Sequence, residues 1–227
     1  MNPEEAYEYA KKYGSSDKTR RIACKNPSQA YHYALVIDKK PRNDTREAAC
    51  KEPYWAYHYA KDIDKCPRDD TREEICIDSH YAYFYAEDID KCPREDTRKA
   101  ACRFPQYAYD YAKYVDKCPR DDTREAACNN SFYAYKYALN VDKKPREDTR
   151  ETACMDIDCA YRYARDVDQK PRKDTRKAAC KDPEYAYAYA KNVDKGFHED
   201  TWEAVKGTEY EKEYNYSLNQ IEKEKIV

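Results

Sequence analysis

The chain has 227 residues, with 43 Lys plus Arg set against 45 Asp plus Glu and a formal net charge of −2. So even a balance argues against a general nucleic-acid or membrane-surface binder, which carries a basic excess. No apolar run approaches the roughly 18 residues of a membrane helix, and the opening MNPEEAYEYA lacks a basic region followed by an apolar stretch, so the expectation is a cytoplasmic chain with no membrane partner.

The first predicted helix carries Ala6-Tyr7-Glu8-Tyr9-Ala10. The same AYxYA pattern starts again at Ala30, Ala56, Ala82, Ala108, Ala134, Ala160 and Ala186, stepping by 24 and then always by 26. Gly14-Ser15-Ser16 stands at the shorter step and predicts a modified loop. Each pattern is expected on a helix of about 13 residues that opens at an Asp-Pro such as Asp182-Pro183, an N-cap followed by Pro in the first turn. Asp78-Ser79 and Asn130-Ser131 cap the units that lack this Pro. The helix ends before a loop Pro: Pro41, Pro67, Pro93, Pro119, Pro145 or Pro171. A shorter helix of about two turns follows, opening on a capping box such as Asp70-Thr71-Arg72-Glu73 and closing near Cys76. After Gly207 the register slips by one residue; Tyr214 and Tyr216 repeat the pair, and Leu218 with Ile221 marks the apolar side of a capping helix.

Tyr alternation is also a strand signal, but each patch is only five to seven residues long and is bracketed by helix caps. At about 100° per residue, Ala56, Ala60 and Ile63 form one stripe, with Tyr57 and Tyr59 on its flanks. The residue between the two Tyr should then point away from the core and vary freely. It reads Glu8, His32, His58, Phe84, Asp110, Lys136, Arg162 and Ala188, while the paired Tyr are unchanged in all eight units. One Tyr is expected to wedge against the preceding unit and the other against the next.

These rings carry the interior. Leu, Ile, Val and Phe make up only about a tenth of the chain, a disorder-like level when net charge is high, but here it is low and there are 26 Tyr. A buried Tyr removes roughly 150–250 Å² from water. Of 11 Cys, seven recur at 26-residue steps (Cys24 to Cys180) and three more in a second register (Cys66, Cys92, Cys118). No metal box is spelled, so no cofactor or metal is expected, and the thiols read as small apolar core groups. The predicted fold is all-α: an α-solenoid of about eight two-helix repeats over 1–207, with a C-terminal capping helix over 208–227 in the same domain.

The text KDPEYAYAYAKNVDKGFHEDTWEAVK at Lys181–Lys206 resembles the 26-residue tandem repeats of uncharacterised all-helical proteins of tailed bacteriophages. Those share a K-D-P-x-x-A-Y-x-Y-A core followed by a K-G-[aromatic]-x-E turn. Lys195-Gly196-Phe197 matches the turn, whereas internal units have DKCPR or DKKPR there. The resemblance implies a helical solenoid of phage origin acting in the host cytoplasm, where it could bind and neutralise a host factor. It carries over no functional residues.

Reaction chemistry is not spelled. The four His stand in no nucleophile pattern, and three Gly cannot build a phosphate-cradling loop. The expectation is therefore a non-catalytic scaffold that binds another protein where the units differ. Tyr54, Trp55, His58, Phe84, Phe104 and Phe132 are the candidate partner-binding residues, since aromatic anchors dominate interface energetics. The alternative is anion or nucleic-acid binding along two Arg rows, Arg68, Arg94 and Arg120 after the loop Pro and Arg72, Arg98 and Arg124 after Thr. Asp rows beside them, from Asp38 to Asp194, weigh against a basic track and for a structural charge ladder.

Overall fold

The computed structural model describes residues 1–224, with side chains to Ile221. Residues 225–227 of the expected capping helix lie outside the described residues. Among the described residues the protein is all helix, in pairs that recur every 26 residues. The chain forms two compact units, Met1–Asp116 and Lys117–Val227, each built as a solenoid of stacked helix pairs.

The Tyr-bearing helix has the expected place but not the expected winding. It begins as α-helix and ends as π-helix, as in Pro53–His58 followed by Tyr59–Asp64. Only the first, Pro3–Tyr13, is α-helical throughout. The Lys65 amide donates to the Ala60 carbonyl at 2.9 Å, one residue farther back than in an α-turn. A left-handed residue then stops the helix: Lys39, Lys65, Lys91, Lys117, Lys143, Gln169 and Lys195 all have φ between 51 and 55°. Glycine fills this role at lower steric cost.

The second Tyr of each pair is the core. Tyr33, Tyr59, Tyr85 and Tyr111 in the first unit, and Tyr137, Tyr163 and Tyr189 in the second, are fully buried. Each reaches back to the preceding repeat. The Tyr59 hydroxyl lies 2.8 Å from Thr45 Oγ1, accepts from the Arg42 amide at 3.0 Å and donates to the Arg42 carbonyl at 3.1 Å. Tyr137 does the same with Thr123 and Arg120. The first Tyr reaches forward: Tyr31 donates to Asp62 at 2.7 Å, Tyr57 to Asp88, and Tyr135 to Asp166 at 2.8 Å. The expectation of one ring facing each neighbour holds.

These bonds correct the capping of the short helix. Asp69–Ile75 starts one residue before the expected box, with Arg68 as an N-cap that makes no side-chain cap. Asp70 sits inside the first turn and accepts from the Thr71 amide at 2.8 Å. The N-cap backbone is instead held by a hydroxyl from the next repeat, here Tyr85 on both the Arg68 amide and carbonyl. At the C-terminal end Tyr214, on helix Glu211–Glu224, fills this socket, 2.9 Å from Thr201 Oγ1. Tyr216 is 68% exposed, so only one member of the expected pair is used.

All eleven cysteines are free thiols. Burial pushes Cys50, Cys76, Cys128 and Cys180 up to about 11, whereas Cys66 and Cys118 are exposed on loops. Brief alkylation of the native protein at neutral pH, read by peptide mass spectrometry, should therefore modify Cys66 and Cys118 well before this half-buried to buried row. Equal labelling of Cys128 would contradict the burial.

Candidate functional site

In the first unit, the outer faces of four successive Tyr-bearing helices form a continuous aromatic ridge. Tyr54, which is 44% exposed, lies edge-on to Trp55 at 4.6 Å and against His58 at 4.5 Å between ring centroids. Tyr54 also meets Tyr81 at 6.0 Å, which meets His80 at 4.8 Å. His80 in turn packs on Phe84 at 4.7 Å and on Tyr107 at 5.4 Å. Toward the N-terminus, Trp55 packs against Tyr31 at 5.2 Å, tilted, and edge-on to His32 at 5.4 Å. Polar bonds fix the rings: His80 Nδ1 is 2.8 Å from the Tyr107 hydroxyl, and His32 Nδ1 is 2.8 Å from the Ser28 carbonyl. The variable slot between paired Tyr is half-buried in His32, His58 and Phe84, a shoulder of the ridge rather than a free surface.

The structure thus joins Tyr54, Trp55, His58 and Phe84, and leaves two expected residues out. Phe104 is the exposed N-cap of helix Pro105–Asp110 and makes no ring contact among the described residues. Phe132 belongs to the second unit, where it touches Tyr133 at 5.3 Å. Five members were missed from sequence: Tyr31, His32, His80, Tyr81 and Tyr107. Tyr81 and Tyr107 stand just before the AYxYA pattern, at the position that Trp55 fills in its own repeat, and the histidines lacked any nucleophile pattern. The signal that could have found the centre of the ridge is that aromatic residues fill all three outer helix positions in only two repeats, Tyr54-Trp55-His58 and His80-Tyr81-Phe84.

The Arg rows separate into two kinds. Arg72, Arg98 and Arg124 are buried and turned inward. Arg98 pairs with Asp116 at 2.7 Å and Arg124 with Asp142 at 3.0 Å, and both guanidiniums also lie over a Tyr ring. Arg72 is shared among Asp69, Asp90 and Asp96. Internal carboxylates therefore take the donors that anion binding would need, and this row is the structural ladder. Of the outer row, Arg68 closes on Asp70 at 2.9 Å and Arg120 on Asp122 at 3.3 Å. Arg94 closes no ion pair among the described residues, because Arg72 of the preceding repeat has taken Asp96.

The ladder has strained rungs. Asp168 is buried with no hydrogen bond to either carboxylate oxygen, 3.6 Å from Arg150, which bonds Asp174 instead at 2.8 Å. Burial raises the Asp168 carboxyl above the usual carboxylate range, against the pull of Arg150.

A cleft of about 300 Å³ beside the short helix Asn43–Ala49 is lined by Arg46, Glu47, Cys50, Arg68, Asp70 and Glu74. Arg46 and Arg68 are already paired, with Asp64 and Asp70. No group of three or more His, Cys, Asp or Glu side chains among the described residues is placed to hold a metal, and no described helix is long and apolar enough to cross a membrane. No family model, curated protein or solved structure matches the chain.

Proposed function

We propose that the protein is a non-catalytic repeat scaffold that binds another protein through the aromatic ridge of its first unit. The observation that carries this reading is the unbroken line of half-exposed rings from His32 through Tyr54 and His58 to Phe84 and Tyr107. Rings held rigid by their neighbours present large contact area at low entropic cost, and such aromatics supply most of the energy at interfaces. In the second unit the slots of His32, His58 and Phe84 hold Lys136, Arg162 and Ala188, so the line is local to the first. On the resemblance to phage repeat proteins, the narrower proposal is a host factor bound and blocked.

Tyr54→Asp tests this, because Tyr54 is the most exposed ring of the ridge. A partner captured by the wild-type protein should bind Tyr54→Asp at least about thirtyfold more weakly, the scale of a hot-spot loss, and bind Phe132→Asp normally. A partner indifferent to Tyr54→Asp, or equally sensitive to Phe132→Asp, would remove the ridge from the proposal.

A further inference from the structure

The second unit contains two grooves of the same construction and opposite charge. Each is an open groove formed by a loop Lys-Pro-Arg and the first turns of the short helix behind it. In one repeat the lining is Lys144, Pro145, Arg146, Glu147, Asp148 and Glu151. In the next it is Lys170, Pro171, Arg172, Lys173, Asp174 and Lys177. Two cations facing three carboxylates thus become four cations facing one.

The single carboxylate of the basic groove is already engaged. Asp174 is bonded by Arg150 from the preceding repeat at 2.8 Å, and that bond holds its carboxyl below the usual range against the cost of burial. Arg172 is therefore left without the partner that Arg146 finds in Asp148 at 3.4 Å. The side chains of Lys170, Arg172, Lys173 and Lys177 close no ion pair or hydrogen bond among the described residues. In every other repeat at least one of the slots of Lys173 and Lys177 is acidic, as in Asp69 and Glu73, or Glu95 beside Lys99. The charge reversal is therefore local, and the fold does not require it.

We infer that this groove is a docking site for a short acidic segment of a partner protein. The groove is open, so each ion pair is exposed to water and contributes little by itself. A lone small anion would gain little there, and affinity needs several carboxylates on one chain. The first and last of four extended residues lie about 10 Å apart, three steps of about 3.3 Å, which matches the roughly 8–10 Å between packed helices, so a run of four acids fits one groove. A long polyanion is disfavoured by what flanks the site: Glu147 and Glu151 on one side, and Glu199, Asp200 and Glu203 on helix Glu199–Val205 on the other.

The probe is a fluorescent peptide with four consecutive glutamates, titrated at low salt and read by anisotropy. The wild-type protein should bind it, and added salt should weaken binding steeply. Lys173→Glu with Lys177→Glu should lose about tenfold or more in affinity. That variant only copies the acids of the preceding groove onto the same backbone, so an unchanged circular dichroism spectrum and melting temperature are expected. The converse, Glu147→Lys with Glu151→Lys, should add a second binding equivalent. No binding at low salt, or binding indifferent to the swap, overturns the site. A single-stranded oligonucleotide bound more tightly than the peptide, with the same dependence, would overturn the acidic segment in favour of nucleic acid. Tyr54→Asp should leave peptide binding unchanged, so failure here and failure of the ridge are separate results.

Discussion

Tyr111→Ala should destabilise the protein by about 3–5 kcal/mol, the cost of emptying a large aromatic site in a packed core. The ring is fully buried against Ala86, Ala101 and Val115, and these small neighbours cannot move in to fill the space. Tyr111→Phe separates ring from hydroxyl. It keeps the packing but leaves the Arg94 amide and Thr97 Oγ1 without the hydroxyl that now lies 2.9 Å from each, a loss of about 1–3 kcal/mol. Chemical denaturation followed by far-UV circular dichroism measures both. A cost below about 1 kcal/mol for Tyr111→Ala, well short of a core truncation, would mean that phenol rings do not carry the interior.

The second large effect lies in the buried charge ladder. Arg124→Met should cost about 3–5 kcal/mol, because it strands the Asp142 carboxylate in the core with no counter-charge. Combining Arg124→Met with Asp142→Leu should recover most of that loss, since an apolar pair avoids the desolvation that the ion pair must offset. Asp168→Asn should act in the opposite direction to Arg124→Met. Asp168 has no hydrogen bond to lose, and Arg150 keeps Asp174. Burial raises the Asp168 carboxyl, so the folded state holds its proton to higher pH than the unfolded chain does. Its penalty is present above the folded pKa and disappears as pH falls to the unfolded value of about 3.9. Asp168→Asn should therefore stabilise the protein at pH 7 and be neutral near pH 3. A loss of stability at pH 7 comparable to that of Arg124→Met would contradict this account.

The fold was legible because its signals are periodic. Eight copies of one Tyr pair and seven of one Asp-Thr turn give the helix pairs, their spacing and the direction each ring faces. What escaped was non-local or lay below the resolution of a helical wheel. Nothing in YAKDID distinguishes i→i+5 from i→i+4 bonding, so the π-helical ends were unseen. The capping box at Asp70 failed because the group holding that helix start, the Tyr85 hydroxyl, lies 17 residues downstream.

The site was legible only in part. Tyr54, Trp55, His58 and Phe84 stood out as departures from the repeat, yet their continuity depends on His80 and Tyr107, which meet across neighbouring helices. The inner Arg row looked like the outer one in sequence. Only the structure shows that Arg98 and Arg124 close buried ion pairs with carboxylates while Arg94 and Arg172 close none among the described residues. The basic groove was spelled openly by Lys170, Lys173 and Lys177, but its meaning depends on Arg150 having claimed Asp174.

The downstream hydroxyl has a consequence for how the chain matures. A helix start such as Arg94–Thr97 cannot finish its hydrogen bonding until Tyr111 has been synthesised. Each module made by a ribosome therefore stays half-closed until its successor arrives, and the growing protein locks from front to back like a ratchet. The last tooth is Tyr214: only with helix Glu211–Glu224 in place does the Thr201 turn acquire its latch.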